Sequence, residues 1–302
     1  MLKKNITDCF GIRIRRMLEK EDWKGITEIR VRSGKPLILK KGAEEIFINE
    51  EGRRVSDISE AFIVAASDVS HTVTMLSDYS LYAFKEQLRF GYVTVPGGHR
   101  AAIAGSTVTD NGRITALKNI SSVSLRIANE KKGCSKELFE RLHSRLPLNI
   151  LIVSPVCGGK TTLLRDMIRI ISDSGYTVGI SDERGEIAAC YMGVPQLDVG
   201  IRTDVLDSCP KAKGMSMLVR TMSPDYVASD EIGSEEDIKA IKEASLSGVK
   251  VICTAHGNDM NDIKKRFGTD CNIFDIFVFL EGKKEPGKIR EIINDKGESI
   301  CL

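Results

Sequence analysis

Residues 149–153 read Asn-Ile-Leu-Ile-Val, an almost unbroken apolar run. A strand covered on both faces needs apolar side chains at successive positions, so this segment is predicted to be one. Similar short runs recur at residues 176–181, 226–229 and 249–254. Between them, apolar residues at helical spacing predict helices over 161–171, 235–246 and 259–267. Strands alternating with helices predict a parallel, doubly wound α/β sheet.

The first 135 residues follow a different pattern. Residues 12–20 (IRIRRMLEK) have the spacing of an amphipathic helix, and 26–32 (ITEIRVR) alternate apolar with charged, as a half-buried strand does. Ser33-Gly34-Lys35-Pro36 forms a turn before a short strand at 37–39, and 58–67 suits a helix. Within residues 88–100, Pro96-Gly97-Gly98 separates two β-prone runs and predicts a hairpin, and a further strand is expected at 123–127. This half is expected to be α+β with a mostly antiparallel sheet. The polar segment 130–136 (EKKGCSK) is the expected boundary, giving an N-terminal α+β domain over 1–135 and an α/β domain over 136–302. Two domains also suit 302 residues at roughly 150 residues per domain.

Composition narrows the classes. Hydrophobic residues make up 42% and charged residues 28%, which excludes collagen-like, disordered and disulfide-scaffold proteins. Lys+Arg 44 against Asp+Glu 42 leaves a formal charge of +2, so bulk charge does not point to a polyanion-coating protein. The eight cysteines contain no C-x-x-C pair, and free thiols in a reducing cytosol are expected rather than zinc or disulfides. The N-terminal segment lacks the apolar core of a secretory signal, and no run approaches the ~20 residues that span a bilayer. A soluble, cytoplasmic protein is expected, reaching a membrane only through a partner.

The strongest chemical signal is Ser154-Pro155-Val156-Cys157-Gly158-Gly159-Lys160-Thr161-Thr162, placed after a buried strand and at the opening of a helix. Successive backbone N–H groups in such a turn converge on an anion, as in the phosphate loop of ATP-binding proteins. Lys160 would neutralise the β- and γ-phosphates, and the Thr161 hydroxyl would ligate Mg²⁺. Against the pattern G-x-x-x-x-G-K-[ST], Ser154 replaces the first glycine and Cys157 stands where glycine is common. A plain glycine-rich strand-to-helix turn is the competing explanation.

Asp230-Glu231 ends the apolar strand at 226–229, where strands of such sheets face the ligand crevice. Asp230 is placed for the Mg²⁺ shell and Glu231 for orienting and deprotonating water. The competing role is an N-cap for the helix that follows. His256, ending the next strand, is a candidate γ-phosphate sensor, with a purely structural role as its rival. Glu183, in Asp182-Glu183-Arg184-Gly185-Glu186, is a candidate further carboxylate. Arg184, Arg202 and Arg220 are candidates for stabilising transition-state charge, in cis or from a neighbouring subunit, each against a surface ion pair as the alternative. Arg100 and Arg126 are candidates for reaching a nucleotide from the N-terminal half.

Taken together these segments resemble the stage III sporulation protein AA family of endospore-forming bacteria. The resemblance runs through ITEIRVRSGKPL, GYVTVPGGHRAAIAGS, SVSLRIANE, VSPVCGGKTTLLRD, the long segment SDERGEIAACYMGVPQLDVGIRTDVLDSCPKAKGM, MSPDYVASDEIG and GVKVICTAHG, nearly the whole chain. That family is in turn similar to the ATPases that power type II and type IV secretion, whose acidic box, Walker B strand and histidine box correspond to Asp182-Glu183, Asp230-Glu231 and His256 with Asn258. The resemblance implies a RecA-like P-loop ATPase core with a parallel sheet behind a smaller α+β domain, using ATP and Mg²⁺. It further implies a homo-oligomeric ring, expected to be a hexamer, acting in the mother-cell cytoplasm with membrane proteins of the mother-cell/forespore channel complex. The family usually carries Ser-Pro-Pro-Gly-x-Gly-Lys-Thr, where this chain has Val156 and Cys157. If the replaced glycine holds a positive φ, Cys157 strains the loop by about 1–2 kcal/mol unless Gly158 takes over that conformation.

Two rivals remain at the level of sequence. A nucleic-acid-associated ATPase would use a basic patch of Arg30, Arg32 and Lys35 with the His99-Arg100 hairpin, although few aromatics are available for base stacking. A nucleotide-bound structural module without turnover would suit the altered loop at Cys157.

Overall fold

The computed structural model describes residues 6–77, 91–110 and 113–300. Residues 88–90 of the predicted hairpin segment and Cys301 lie outside the described residues. The chain divides into two compact units between Asn129 and Glu130. The segment after Glu130 is tied to the second unit, because the N–H groups of Gly133 and Ser135 and the Ser135 hydroxyl all donate to Asp166.

Among its described residues, the first unit is an antiparallel sheet with helices that include α1 (Ile12–Leu18) and α2 (Ala66–Leu76). Its strands are β1 (Glu28–Arg32), β2 (Ile38–Lys41), β3 (Glu44–Ile48), β4 (Arg54–Val55), β5 (Tyr92–Val95), β6 (His99–Asp110) and β7 (Arg113–Arg126), in spatial order β4-β3-β2-β1-β7-β6-β5. The alternation in β1 works as expected: Ile29 and Val31 are fully buried in the core and Arg30 and Arg32 take the other face. The helix expected at 58–67 does not form. Residues 58–60 make one 3₁₀ turn, and the chain then runs extended beside the β1–β2 turn, with Val64 N–H donating to Lys35 O and Gly34 N–H to Val64 O. Those long-range backbone bonds outweigh the local helical pattern, and the helix starts at Ala66 instead.

The second unit is a sheet of β8 (Ile150–Ser154), β9 (Val178–Asp182), β10 (Thr203–Asp207), β11 (Tyr226–Ser229), β12 (Lys250–His256), β13 (Ile276–Leu280) and β14 (Ile289–Asn294), in spatial order β10-β9-β11-β12-β8-β13-β14. Every pairing is parallel except β13 with β14. Its helices are α3 (Lys136–Leu142), α4 (Lys160–Asp173), α5 (Lys211–Met222), α6 (Glu235–Leu246) and α7 (Met260–Phe267). The continuous apolar run in β8 is explained by two cores. Ile150 and Ile152 pack with Leu163, Leu164, Met167 and Ile168 of α4, whereas Leu151 and Val153 pack into a core that includes residues of α5, α6 and α7. Strand order reverses at β8: its neighbours β12 and β13 both come later in sequence and lie on opposite sides. Such a switch point opens a crevice at the carboxyl ends of the strands.

Candidate functional site

Register brings the site together. His256 is the β-partner of Ser154, and Ser229 is paired with both Cys253 and Ser181. The residues just beyond these pairs, in the glycine-rich loop after β8, Asp182-Glu183 and Asp230-Glu231, therefore emerge along one edge of the sheet.

Residues 155–159 curl between β8 and α4. Cys157 has φ 63° and Gly159 φ 89°, both left-handed. The replaced glycine position does carry a positive φ, and Gly158 does not take it over, so the expected relief at Gly158 is absent. Gly158 answers a different need: a Cβ there would lie 2.1 Å from Ser154 Oγ. A Cβ on Gly159 would lie 2.6 Å from the N of Gly287, in the turn between β13 and β14. That same N–H donates to Gly158 O at 2.8 Å. The Gly158 carbonyl is thereby held outward, and in a trans peptide the Gly159 N–H points the opposite way. Ser154 needs no glycine, since it sits on β8 without a positive φ. Pro155 and Val156 line the mouth of a neighbouring cleft with His256, and Thr162 follows Thr161 in the first turn of α4.

Lys160 is buried, with Nζ 3.5 Å from Ser154 O and 3.1 Å from His256 Nδ1. Burial pushes its pKa down, opposed by the charges of Glu231 and Asp230. His256 Nε2 lies 3.0 Å from Glu231 Oε1. The Thr161 hydroxyl donates to Asp230 Oδ2 at 2.7 Å, and the hydroxyl of the fully buried Thr254 donates to Asp230 Oδ1. The Glu231 N–H donates to Asp230 Oδ1 at 2.9 Å and to Thr254 Oγ1 at 2.8 Å. Glu231 itself has φ 46°, an uncommon conformation for a non-glycine residue. Asp230 and Glu231 do not cap α6: Ser234 does so, accepting from Asp237 N–H.

The acidic segment splits into two roles. Asp182 accepts from the N–H groups of Glu186, Ile187 and Ala188 and shapes the following loop. Burial raises its carboxyl pKa against those donors. Glu183 lines one cleft with Asp230 and Glu231, and its Oε2 lies 3.6 Å from Lys211 Nζ. Arg184 lines the same cleft. Lys211 was not singled out from sequence, and nothing in the short segment CPKAKGM marks it.

Other arginines lie elsewhere. Arg220 is nine residues along α5 from Lys211, about 13 Å by helical rise, and lines a groove between α5 and α6. Arg202 donates to Ser172 O at the far end of α4. Arg100 and Arg126 are register partners on β6 and β7. The basic patch of the nucleic-acid alternative is not assembled as expected: His99 is 1% exposed and Arg30 is ion-paired with Glu28 at 2.7 Å.

A mostly parallel sheet with a glycine-rich strand-to-helix loop at its switch point and carboxylates on the adjoining strand ends is the architecture of the RecA-like class of fold. The chain belongs to the family described as sporulation stage III, protein AA, whose sequence model matches residues 1–300. It is 38% identical over 292 residues to stage III sporulation protein AA of Bacillus subtilis (strain 168), covering 94% of this chain and 91% of that protein. The fold is similar to that of the Legionella pneumophila ATPase DotB, with TM-score 0.57 and 18% identity over 93% of this chain and 80% of that one. It is also similar to the pilus retraction motor PilT, solved with bound ADP, with TM-score 0.55 and 15% identity over 84% of this chain and 74% of that one. Among the described residues, no helix is long and apolar enough to cross a membrane.

Proposed function

We propose that the chain is an ATP-hydrolysing motor of a sporulation machine of the secretion-ATPase kind. The observation that carries this reading is the convergence of Lys160, Thr161, Asp230, Glu231 and His256 within one hydrogen-bonded network at three strand ends. A plain strand-to-helix turn has no use for a buried ammonium and two carboxylates beside its amides.

In this reading the loop amides and Lys160 hold the β- and γ-phosphates of ATP. Glu231 has one carboxylate oxygen on His256, which leaves the other for an attacking water. The water oxygen bonds to the γ-phosphorus, the bond to the β–γ bridging oxygen breaks, Glu231 takes the water proton, and ADP and phosphate leave. The Thr161 hydroxyl and Asp230 carboxylate, 2.7 Å apart, are a hard-oxygen pair that suits Mg²⁺. When bound, Mg²⁺ would supply charge neutralisation across the β- and γ-phosphates. Glu183 adds a carboxylate at the rim. Arg220, nine residues along α5 from Lys211, would act in the site of a neighbouring copy, within a ring of copies proposed to be hexameric. Family membership supports a place in the mother-cell cytoplasm, held peripherally at the mother-cell/forespore channel by its membrane proteins, with no call for nucleic acid.

The test is steady-state phosphate release by the purified chain with ATP and Mg²⁺. Lys160→Ala and Glu231→Gln are expected to lower turnover by about 10²-fold or more. A Glu231→Gln protein that hydrolyses at the wild-type rate overturns the reading. So does a wild-type protein, and its Cys157→Gly variant, that binds ATP tightly and releases no phosphate; that outcome makes the chain a nucleotide-bound structural module.

A further inference from the structure

We infer that Lys211 is a positioning residue for hydrolysis, holding the main chain of Glu231 in the left-handed conformation that aims its carboxylate. The inference rests on the ATPase reading above. A non-glycine residue at φ 46° persists only where its surroundings over-determine it. Around Glu231 they do. Its N–H is held by Asp230 and Thr254, and its carbonyl accepts from Lys211 Nζ at 2.8 Å. The first two contacts come from the residue that follows β11 and from β12, which already carry the site. The third comes from a different element, the first residue of α5.

That position is an odd one for a lysine. A helix N-terminus carries partial positive charge and favours acidic residues, yet the first turn of α5 has none and begins Lys-Ala-Lys. The Lys211 ammonium finds its compensation in the Glu231 carbonyl and in Glu183 Oε2 at 3.6 Å, and its side chain is only 18% exposed. The backbone beneath it is fixed as well. Ser181 Oγ donates to Lys211 O at 3.1 Å, and α5 lies so close to β9 that a Cβ on Gly214 would be 2.1 Å from Ser181 Oγ. The stem of Lys211 therefore starts from an anchored point, and its ammonium ties Glu183, at the end of β9, to Glu231, at the end of β11.

The experiment compares Lys211→Met, Lys211→Gln and Lys211→Arg with wild type, each also in a Glu231→Gln background, by steady-state ATPase and by the Kd of a fluorescent ATP analogue. Removing the ammonium is expected to lower kcat by about 10²-fold, the scale of a misplaced catalytic group, while KM and Kd stay within about threefold. Lys211→Arg should restore at least a tenth of wild-type turnover, and Lys211→Met should cost nothing further once Glu231 is Gln. A lysine that merely supports the fold would raise Kd and lower the rate in both backgrounds alike, and that result overturns the inference. Wild-type turnover in both Lys211→Met and Lys211→Gln overturns it too, while Glu231-dependent turnover in wild type leaves the ATPase reading standing. If Glu231→Gln alone leaves turnover untouched, the ATPase reading fails and the inference falls with it.

Discussion

The ammonium of Lys160 lies 3.1 Å from Nδ1 of His256. An ammonium has only donors, so Nδ1 accepts from it and a ring proton sits on Nε2. That Nε2–H then donates to Glu231 Oε1 at 3.0 Å. One imidazole thus lies between the Lys160 ammonium and the Glu231 carboxylate and bridges the two.

The His256 bridge predicts a split effect. In His256→Ala, both Lys160 and Glu231 lose the ring that orients them. Turnover is expected to fall by about 10²-fold while nucleotide affinity changes by less than about fivefold, read from steady-state rates beside equilibrium binding. Equal losses in both would mean that the ring supports the loop rather than the chemistry.

At Cys157 the backbone is left-handed, with φ 63°, and its side chain is exposed. Replacing it by glycine removes the Cβ conflict, worth roughly 1–2 kcal/mol, and returns part of that as extra chain entropy in the unfolded state. Cys157→Gly is expected to gain up to about 1 kcal/mol in denaturant unfolding, and Cys157→Ala, which keeps the Cβ, to gain nothing. The absence of any difference between the two variants would show that the loop is unstrained.

Gly159 is expected to tolerate nothing larger. An added Cβ meets Gly287 N at 2.6 Å and is strained at φ 89°, so either the loop or the β13–β14 turn must move. Gly159→Ala should weaken ATP binding by about tenfold or more, the equivalent of about 1.4 kcal/mol, as measured by titration calorimetry. Retained affinity would mean that the Gly287–Gly158 hydrogen bond does not shape the cup.

His99 makes the first unit sensitive to acid. Its ring is buried, Nδ1 accepts from Ala128 N–H at 3.0 Å, and Nε2 has no partner among the described residues. Burial lowers its pKa from 6.5 to about 4. The unfolded chain therefore takes up the proton first. Stability is full above pH ~6.5 and falls as pH drops toward about 4, by about 3 kcal/mol in all. In His99→Asn, urea unfolding between pH 7 and 4 should lose that part of the slope. The same pH dependence in wild type and variant would rule His99 out as its source.

Much of this chain was legible before its fold was known. The apolar runs that became β8, β11 and β12 are local signals, because a strand buried on both faces must be apolar at each position wherever its neighbours lie. Helix α6 starts and stops where its capping box and apolar spacing indicate. The glycine-rich loop between β8 and α4 could be located in the same way, since its glycines, lysine and threonine are contiguous. The apolar run of β13 carries an equally local signal, and α5, with Gly214 in its interior, carries a weaker one.

What only the tertiary structure decided are relations between residues far apart in sequence. Residues 58–64 surrendered a helical pattern to backbone bonds with Gly34 and Lys35. The conformations of Cys157, Gly158 and Gly159 are set by the loop's closure against Ser154 and Gly287. The bridge Lys160–His256–Glu231 spans three strands, and Lys211 reaches Glu231 only because α5 is pinned against β9. Arg220 looks the same on paper as any other arginine, and only the course of α5 places it in a groove with α6, nine residues on from Lys211. Hydrophobic period and turn chemistry act over a few residues and leave their mark in composition, whereas hydrogen bonds across a crevice depend on strand order and register, which no short window of sequence encodes.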